Sequence, residues 1–279
     1  MALEGCGVVI GALMKGGLTA LIVGGLLMLA QRWGRSAAGL LAGLPTVTGP
    51  ALLWLALDRG AAFAAEAAVG AVAAGLCCAL FALAYGRAGH RCGPAGALAL
   101  GTAASAAPLP WLGHVELGLT EWLLLASLAC WASRWALGRG ASTTREDDVD
   151  APRVHVRGWL VTALVSGLVS AVAAGAADEV GPFWAGMLTS PPLLAAAVAL
   201  ELHRQAGRVG PAEPFLHGYV TGLIGRGLFA AVVGALIVPL GTAAAFAAAL
   251  AASLLSGRLW RTRTHATLDR REQAVRQRA

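Results

Sequence analysis

Residues 34–45 read GRSAAGLLAGLP, and residues 181–192, which lie 147 positions later, read GPFWAGMLTSPP. The match continues without a gap, so that residues 34–87 correspond to residues 181–234. The identical pairs are Gly34/Gly181, Ala38/Ala185, Gly39/Gly186, Leu41/Leu188, Pro45/Pro192, Gly60/Gly207, Glu66/Glu213, Gly75/Gly222 and Leu76/Leu223. An odd number of predicted membrane spans separates the two copies, so we expect them to cross a bilayer in opposite senses. Inverted repeats of this kind are typical of secondary transporters.

The composition supports a membrane location. Hydrophobic residues make up 57% of the 279 residues, charged residues only 13%, and the mean hydropathy is +0.69. Apolar stretches of about 20 residues are long enough to span a hydrocarbon core as helices. The sequence therefore predicts an all-α polytopic membrane protein with about nine transmembrane helices, at 7–30, 37–57, 61–85, 94–111, 117–137, 157–177, 181–202, 213–237 and 239–256.

These spans predict two inverted four-helix repeats joined by an extra helix. The N-terminal repeat covers residues 1–111 and the linking transmembrane helix residues 112–137. A polar cytoplasmic linker at 138–155 leads to the C-terminal repeat at 156–257 and a basic cytoplasmic tail at 258–279. The extra span reverses the orientation of the second repeat.

The basic residues predict the topology. If the C-terminus is cytoplasmic, the cytoplasmic segments hold 18 of the 21 basic residues, and the opposite side holds only Arg59. This asymmetry follows the positive-inside rule. It places the N-terminus outside in a bacterial-type inner membrane, and residues 1–5 lack the basic region of a cleaved signal peptide.

The same charge distribution indicates which binding partners we expect for the protein. The net charge of +6 reflects topology, so we expect no nucleic-acid partner. The lipid bilayer is the expected partner, and the tail, with seven arginines between residues 258 and 278, is expected to attract anionic lipid headgroups.

Two predicted spans contain interruptions at about half depth. Residues 43–50 read GLPTVTGP and residues 189–192 read TSPP, and proline disfavours a regular helix. Backbone groups freed there survive only where they are buried in protein or line a wet cavity. One interpretation makes the interruptions a substrate site; the other makes them packing kinks satisfied by their own hydroxyl groups. The candidate substrate-binding residues are Pro45, Thr46, Thr48, Thr189, Ser190 and Pro191.

Lys15 and Arg226 are the basic residues that fall deep inside predicted helices. An intramembrane arginine is costly and is expected to face a partner or water. Together the two cations are expected to bind a carboxylate, phosphate or sulfate group of a small anionic solute. The alternatives are snorkelling for Lys15, and for Arg226 a buried pair with an acid or with carbonyls of a broken helix. Their repeat equivalents are Thr162 and Ala79, so the predicted site is asymmetric.

Four further residues are candidates for proton coupling. Glu66 and Glu213 match in the repeat, and each lies in the first turns of its predicted helix, where a carboxylate also complements the helix dipole. Glu213 and His217 are one turn apart and are predicted to face a cytoplasmic vestibule. Glu121 lies one turn inside the linking helix.

Enzyme motifs are absent from the sequence. We find no Walker A loop, dinucleotide fingerprint, HExxH or GxSxG, and the five cysteines show no CxxC spacing. The sequence therefore predicts no enzyme, no cofactor, no metal site and no disulfide framework. Cys77 and Cys78 are interpreted as small apolar fillers of the helix interior.

The first half resembles a known family. Met14-Lys15 and residues 38–45, AGLLAGLP, are similar to the GlpM family of small four-helix inner-membrane proteins, which have a lysine in the first helix and an AGL-to-FP segment opening the second. The resemblance covers residues 10–110, and Leu44 stands where that family has phenylalanine. It implies that Lys15 and Pro45 carry over, and it implies a context of exopolysaccharide production.

Two function hypotheses follow. The first is a secondary transporter or exporter of a small, anionic solute, working by alternating access around the broken helices. The second is a non-catalytic inner-membrane partner in envelope polysaccharide or lipid biosynthesis.

Overall fold

The computed structural model describes residues 44–138, 175–207, 209 and 212–257, together with residues 14, 16–18, 20, 21, 164, 167, 168, 171 and 172. The helices in this part of the chain are α1 (Thr48–Arg59), α2 (Ala61–Ala88), α3 (Pro94–Ala106), α4 (Leu109–Leu112), α5 (Leu119–Gly138), α6 (Ala177–Leu188), α7 (Leu193–Ala206), α8 (Glu213–Leu240) and α9 (Thr242–Gly257). No strand occurs among these residues, so the all-helical prediction is confirmed.

Two helices are long and apolar enough to cross a membrane. Helices α2 and α8 each have 28 residues, and their most apolar windows have mean hydropathies of 2.3 and 2.1. At a rise of about 1.5 Å per residue, each reaches about 42 Å, which exceeds a hydrocarbon core of about 30 Å. The predicted count of about nine spans stays a prediction, because spans 7–30 and 157–177 lie almost wholly outside the described residues.

Helices α2 and α8 pack side by side in opposite directions at the centre of the described structure. Gly86, near the end of α2, faces Leu216 at the start of α8, whereas Gly234, near the end of α8, faces Ala68 at the start of α2. The repeat offset relates these two contacts. In the repeat alignment Ala68 corresponds to position 215 and Gly234 to position 87. These positions are each one residue from Leu216 and Gly86, which form the other contact. Equivalent helices of the two copies therefore run antiparallel against each other.

Helix α5 packs against both central helices. Ala126 contacts Gly75 and Leu137 contacts Gly86, so α5 runs parallel to α2. Trp122 and Cys130 are buried on the same face. The segment predicted to link the repeats thus packs one face into the groove between α2 and α8.

Single glycines make three of the sharp helix connections. Gly60 between α1 and α2, Gly181 within α6, and Gly241 between α8 and α9 have φ of 89°, 78° and 78°. Residues with a Cβ rarely adopt such values, whereas glycine does so without strain. At Gly181 the α6 backbone leaves the helix, and Pro182 restarts it in the first turn, where a missing N–H costs nothing. The predicted span start at 181 therefore falls on a turn.

Most of the predicted boundaries agree with the helices, and the first interruption differs. The sequence predicted non-helical backbone over residues 43–50, but only residues 44–47 form turns, and α1 begins at Thr48. Pro50 lies in the first turn of α1, where backbone N–H groups have no intrahelical acceptor, so the proline removes no helical hydrogen bond. The second interruption, residues 189–192, separates α6 from α7 as predicted. The linker at 138–155 and the tail at 258–279 lie outside the described residues, apart from Gly138.

Candidate functional site: a buried arginine beside two paired helix breaks

The two helix interruptions meet in the interior. The hydroxyl oxygens of Thr48 and Ser190 are 2.7 Å apart, and both side chains are buried. The Thr189 hydroxyl lies 3.2 Å from that of Ser190 and donates to the Gly186 carbonyl at 2.6 Å. A chain of three buried hydroxyl groups therefore joins the break of the first copy to the break of the second.

The close crossing of α6 over α2 positions the second break. Gly70 of α2 packs against the backbone of Phe183, and Gly186 of α6 packs against the backbone of Ala67. A Cβ at either glycine would collide with a carbonyl group, so only glycine permits this approach. The crossing ends one turn before Thr189 and Ser190 and fixes their position relative to α2.

The remaining predicted break residues are less central. Pro45, Thr46 and Pro191 are partly exposed. The Thr46 hydroxyl lies 3.5 Å from the Leu44 carbonyl, at the limit of a hydrogen bond. The structure therefore brings Thr48, Thr189 and Ser190 together and leaves the other three at the margin.

Cys78 connects the breaks to the central helices. Its thiol donates to the Ser190 carbonyl at 3.1 Å, and Arg226 and Tyr219 are among its electrostatic neighbours. The interpretation of Cys78 as an apolar filler was therefore wrong in one respect, because its thiol satisfies a carbonyl of the broken helix. The thiol is a weak donor and its sulfur a weak acceptor, so it provides polar contact without charge.

Arg226 lies at the middle of α8, with 13 residues of the helix before it and 14 after it. Only 5% of its surface is exposed, and its Nη2 atom has no hydrogen-bond partner. Its electrostatic neighbours are Cys78, Tyr219 and Cys130, none of which carries a negative charge at neutral pH. Among the described residues no carboxylate forms an ion pair with Arg226. The predicted alternative of a buried acid partner finds no support in this part of the chain.

Arg226 is one of the residues that line a small cavity between the helices. The cavity has a water-accessible volume of about 10 Å³, and residues of α2, α5 and α8 line it. Arg226, Ser127 and Cys130 are its polar lining residues, and the others are glycine or aliphatic. A volume of this size holds about one water molecule.

A second unpartnered polar group lies close by. The Ser253 hydroxyl of α9 is buried without a hydrogen-bond partner. It lies 3.3 Å from the position that a Cβ on Gly225 would occupy, and Leu44 of the first break approaches the same point. Two buried polar groups without partners thus lie on and beside one turn of α8.

Lys15 lies outside the described residues, so its predicted pairing with Arg226 stays a prediction. The described part of the same segment contacts the equivalent segment of the second copy. The Gly167 carbonyl oxygen would lie 2.9 Å from a Cβ on Gly16, and Ala20 packs against Gly167.

The four proton-coupling candidates do not form one cluster. Glu66 and Glu121 are exposed. Glu213 Oε1 lies 2.6 Å from His90 Nε2, where the two groups form an ion pair when the histidine is protonated. Glu213 and His217 have different partners, and the expectation that they face a cytoplasmic vestibule stays a prediction.

Arg134 of α5 holds His217. Its Nη1 lies 3.1 Å from His217 Nδ1 and donates to the Thr221 hydroxyl at 2.6 Å. Nine residues separate His217 from Arg226 along α8, a distance of about 14 Å. The half-buried side chain of Arg134 packs against α8.

Two contacts escaped the sequence analysis. Asp178, which the sequence did not single out, forms an ion pair with Arg59. Cys78, Tyr219 and Cys130 surround Arg226, and the repeat offset contained a signal for the first of them. Arg226 corresponds to Ala79, so the residues around Ala79 approach Arg226 if the equivalent helices cross near these positions.

Comparison of the chain with protein-family models, with curated proteins and with solved structures gives no match. The resemblance to the GlpM family therefore stays a prediction.

Proposed function

We propose that this protein is a membrane carrier that moves a small anion by alternating access around Arg226. The observation that carries the proposal is the buried guanidinium group at the middle of an apolar 28-residue helix, which forms no ion pair with any acidic residue in the part of the chain that the structure describes. A buried cation without a partner costs several kcal/mol, and a bound anion would offset that cost. Anion binding is therefore the simplest reason to keep an arginine at this position.

Three features of the fold support a carrier. Equivalent helices of the two copies run antiparallel, as inverted repeats require. The two breaks touch through the Thr48 and Ser190 hydroxyls, a contact that one copy can break when it rocks against the other. The cavity lies between elements of both copies and of α5. A site shared by two bodies is the arrangement that alternating access uses.

The outer surface supports a lipid environment. Helix α5 exposes Leu124, Leu128, Trp131 and Trp135, spaced three or four residues apart, with exposed fractions between 52% and 71%. Helix α9 exposes Leu250, Leu254 and Leu255. Contiguous apolar stripes of this kind are uncommon on water-soluble monomers. We propose that these stripes face lipid tails in a bacterial-type inner membrane.

His217 is the group best placed for proton coupling. It lies on α8 like Arg226, and Arg134 holds it through a contact that a protonated imidazole would weaken. Protonation would place two positive charges about 3 Å apart, so Arg134 would have to move. We propose that such a movement couples a proton to the anion site.

A flux assay tests the proposed function. The purified protein is reconstituted in liposomes, and uptake of candidate anions is measured for wild type, Arg226→Met and Arg59→Met. We expect Arg226→Met to abolish flux and Arg59→Met to retain it, because Arg59 is a partly exposed ion-pair partner at the end of α1.

Stability separates a functional arginine from a structural one. Replacing an unpaired buried charge by an apolar side chain is often neutral or stabilising. We therefore expect Arg226→Met to unfold at the same temperature as wild type or higher. Wild-type flux in Arg226→Met would refute the assignment of the anion site to Arg226. Absence of flux in the wild-type protein would refute the carrier proposal and favour the role of a non-transporting partner in envelope biosynthesis.

A further inference from the structure

The cavity beside Arg226 limits the size of the anion. Its water-accessible volume of about 10 Å³ matches one water molecule, and residues of three helices line it. A monatomic ion fits such a space with little adjustment, whereas a phosphate, sulfate or dicarboxylate ion does not. We propose that the anion bound at Arg226 is monovalent and halide-sized, with chloride or bromide as the type. This inference rests on the proposed function and names the substrate class of that site.

The charge of the site also favours a monovalent anion. Arg226 is the cation of the cavity lining, and the lining contains no acidic residue. One negative charge neutralises the site, whereas a divalent anion would leave a net charge in a poorly polarisable interior. The sequence led us to expect a carboxylate, phosphate or sulfate group, and the cavity favours a smaller ion than any of these.

The lining also selects for weak hydration. Besides the guanidinium group, the lining offers the hydroxyl of Ser127 and the thiol of Cys130, and every other lining residue is glycine or aliphatic. An ion that enters must exchange most of its water shell for these few donors. Strongly hydrated ions such as fluoride or sulfate lose more in that exchange than chloride or bromide, because small or multiply charged ions hold water more tightly.

Small residues on α2 create the space. Ala71 and Gly75 face the cavity, and Ala126 of α5 packs against Gly75. Leu223 of α8 closes another wall. Truncation of Leu223 should therefore enlarge the cavity and admit larger monovalent anions without touching the guanidinium group.

The test combines binding and flux in chloride-free gluconate buffer. Binding of chloride, bromide, nitrate, fluoride, sulfate and succinate, each added as the sodium salt, to the purified protein is measured by calorimetry. Flux of the same anions is measured in liposomes. The variants are Arg226→Met, Leu223→Ala and Leu216→Ala. Leu216 is a fully buried residue of α8 outside the cavity lining, so its variant controls for lost packing.

We expect chloride and bromide to bind and to be transported, and sulfate and succinate not to compete. Arg226→Met should weaken chloride binding by roughly tenfold or more, the loss expected from deleting a charge-assisted hydrogen bond. Leu223→Ala should shift the preference from chloride towards nitrate, and Leu216→Ala should not.

Three other results would each refute a defined part of the proposal. Tighter Arg226-dependent binding of sulfate or succinate than of chloride would refute the halide-sized site and leave the carrier intact. Chloride binding with an unchanged preference in Leu223→Ala would refute the assignment of the ion to this cavity. Absence of any Arg226-dependent binding or flux would refute the proposed function and this inference together.

Discussion

The substitution Gly70→Ala tests the crossing that positions the second break. A Cβ on Gly70 would lie 2.8 Å from the carbonyl carbon of Phe183 and 3.1 Å from the amide nitrogen of Met187. Ordinary contacts between carbon atoms are about 3.5–4.0 Å, so α6 must move by about 1 Å. The obstacle is backbone, and a rotamer change cannot relieve it.

Two opposing contributions determine the change in the free energy of unfolding that Gly70→Ala should cause. Overpacking of a buried site costs about 1–3 kcal/mol, and a backbone obstacle places this site near the upper end. Exchange of glycine for alanine inside a helix returns about 0.5–1 kcal/mol. We therefore expect a net loss of about 1–2 kcal/mol. Since about 1 kcal/mol corresponds to about 2–4 °C in a chain of this size, the unfolding temperature should fall by several degrees.

The assay is thermal unfolding in detergent or nanodiscs, followed by size-exclusion chromatography. Gly49→Ala is the matched control, because Gly49 is also a buried helical glycine and its nearest atom, Phe229 Cζ, lies at an ordinary 3.6 Å. Gly49→Ala should be neutral or stabilising. Gly186→Ala, on the other side of the crossing, should resemble Gly70→Ala. Equal unfolding temperatures for Gly70→Ala and Gly49→Ala would refute the crossing.

Three further substitutions test individual contacts by thermal unfolding. In a double-mutant cycle of Thr48→Val and Ser190→Ala, we expect a coupling energy of about 1 kcal/mol, and additive effects would contradict the hydroxyl bridge. Substitution of Arg59 or of Asp178 should change the free energy of unfolding by less than about 1 kcal/mol, because the ion pair is partly exposed. A larger loss would show that the ion pair is structurally important. Ser133→Ala removes a buried donor to a backbone carbonyl of α2, and we expect a loss of about 0.5–1.5 kcal/mol, whereas no loss would contradict that contact.

The sequence predicted the helices well where proline and glycine mark their ends. Gly60 and Gly241 separate apolar runs, and both have the positive φ that only glycine adopts easily. The break at residues 189–192 was readable for the same reason, since two prolines follow two hydroxyl residues. Pro50 misled the prediction because proline disrupts a helix interior but not a first turn, and the sequence does not say which of the two applies.

The composition of the site was only partly readable. Arg226 stood out because a charge in a long apolar helix is costly wherever it lies. Its neighbours Cys78 and Tyr219 carry no such signal, since a thiol and a phenol are ordinary residues of an apolar interior. The partner of Glu213 comes from the loop after α2 and the partner of His217 comes from α5. The i, i+4 spacing of the two residues gives no information on such long-range contacts.

The antiparallel packing of α2 and α8 has a further consequence for charge. The paired contacts of Gly86 and Gly234 place a local two-fold axis beside residues 77–78 and 224–225, next to Ala79 and Arg226. Two identical subunits arranged about that axis would bring two guanidinium groups together or none. A single chain that contains both copies can differ at the equivalent position and keep one charge at the centre, so the asymmetry of the site depends on covalent linkage of the halves.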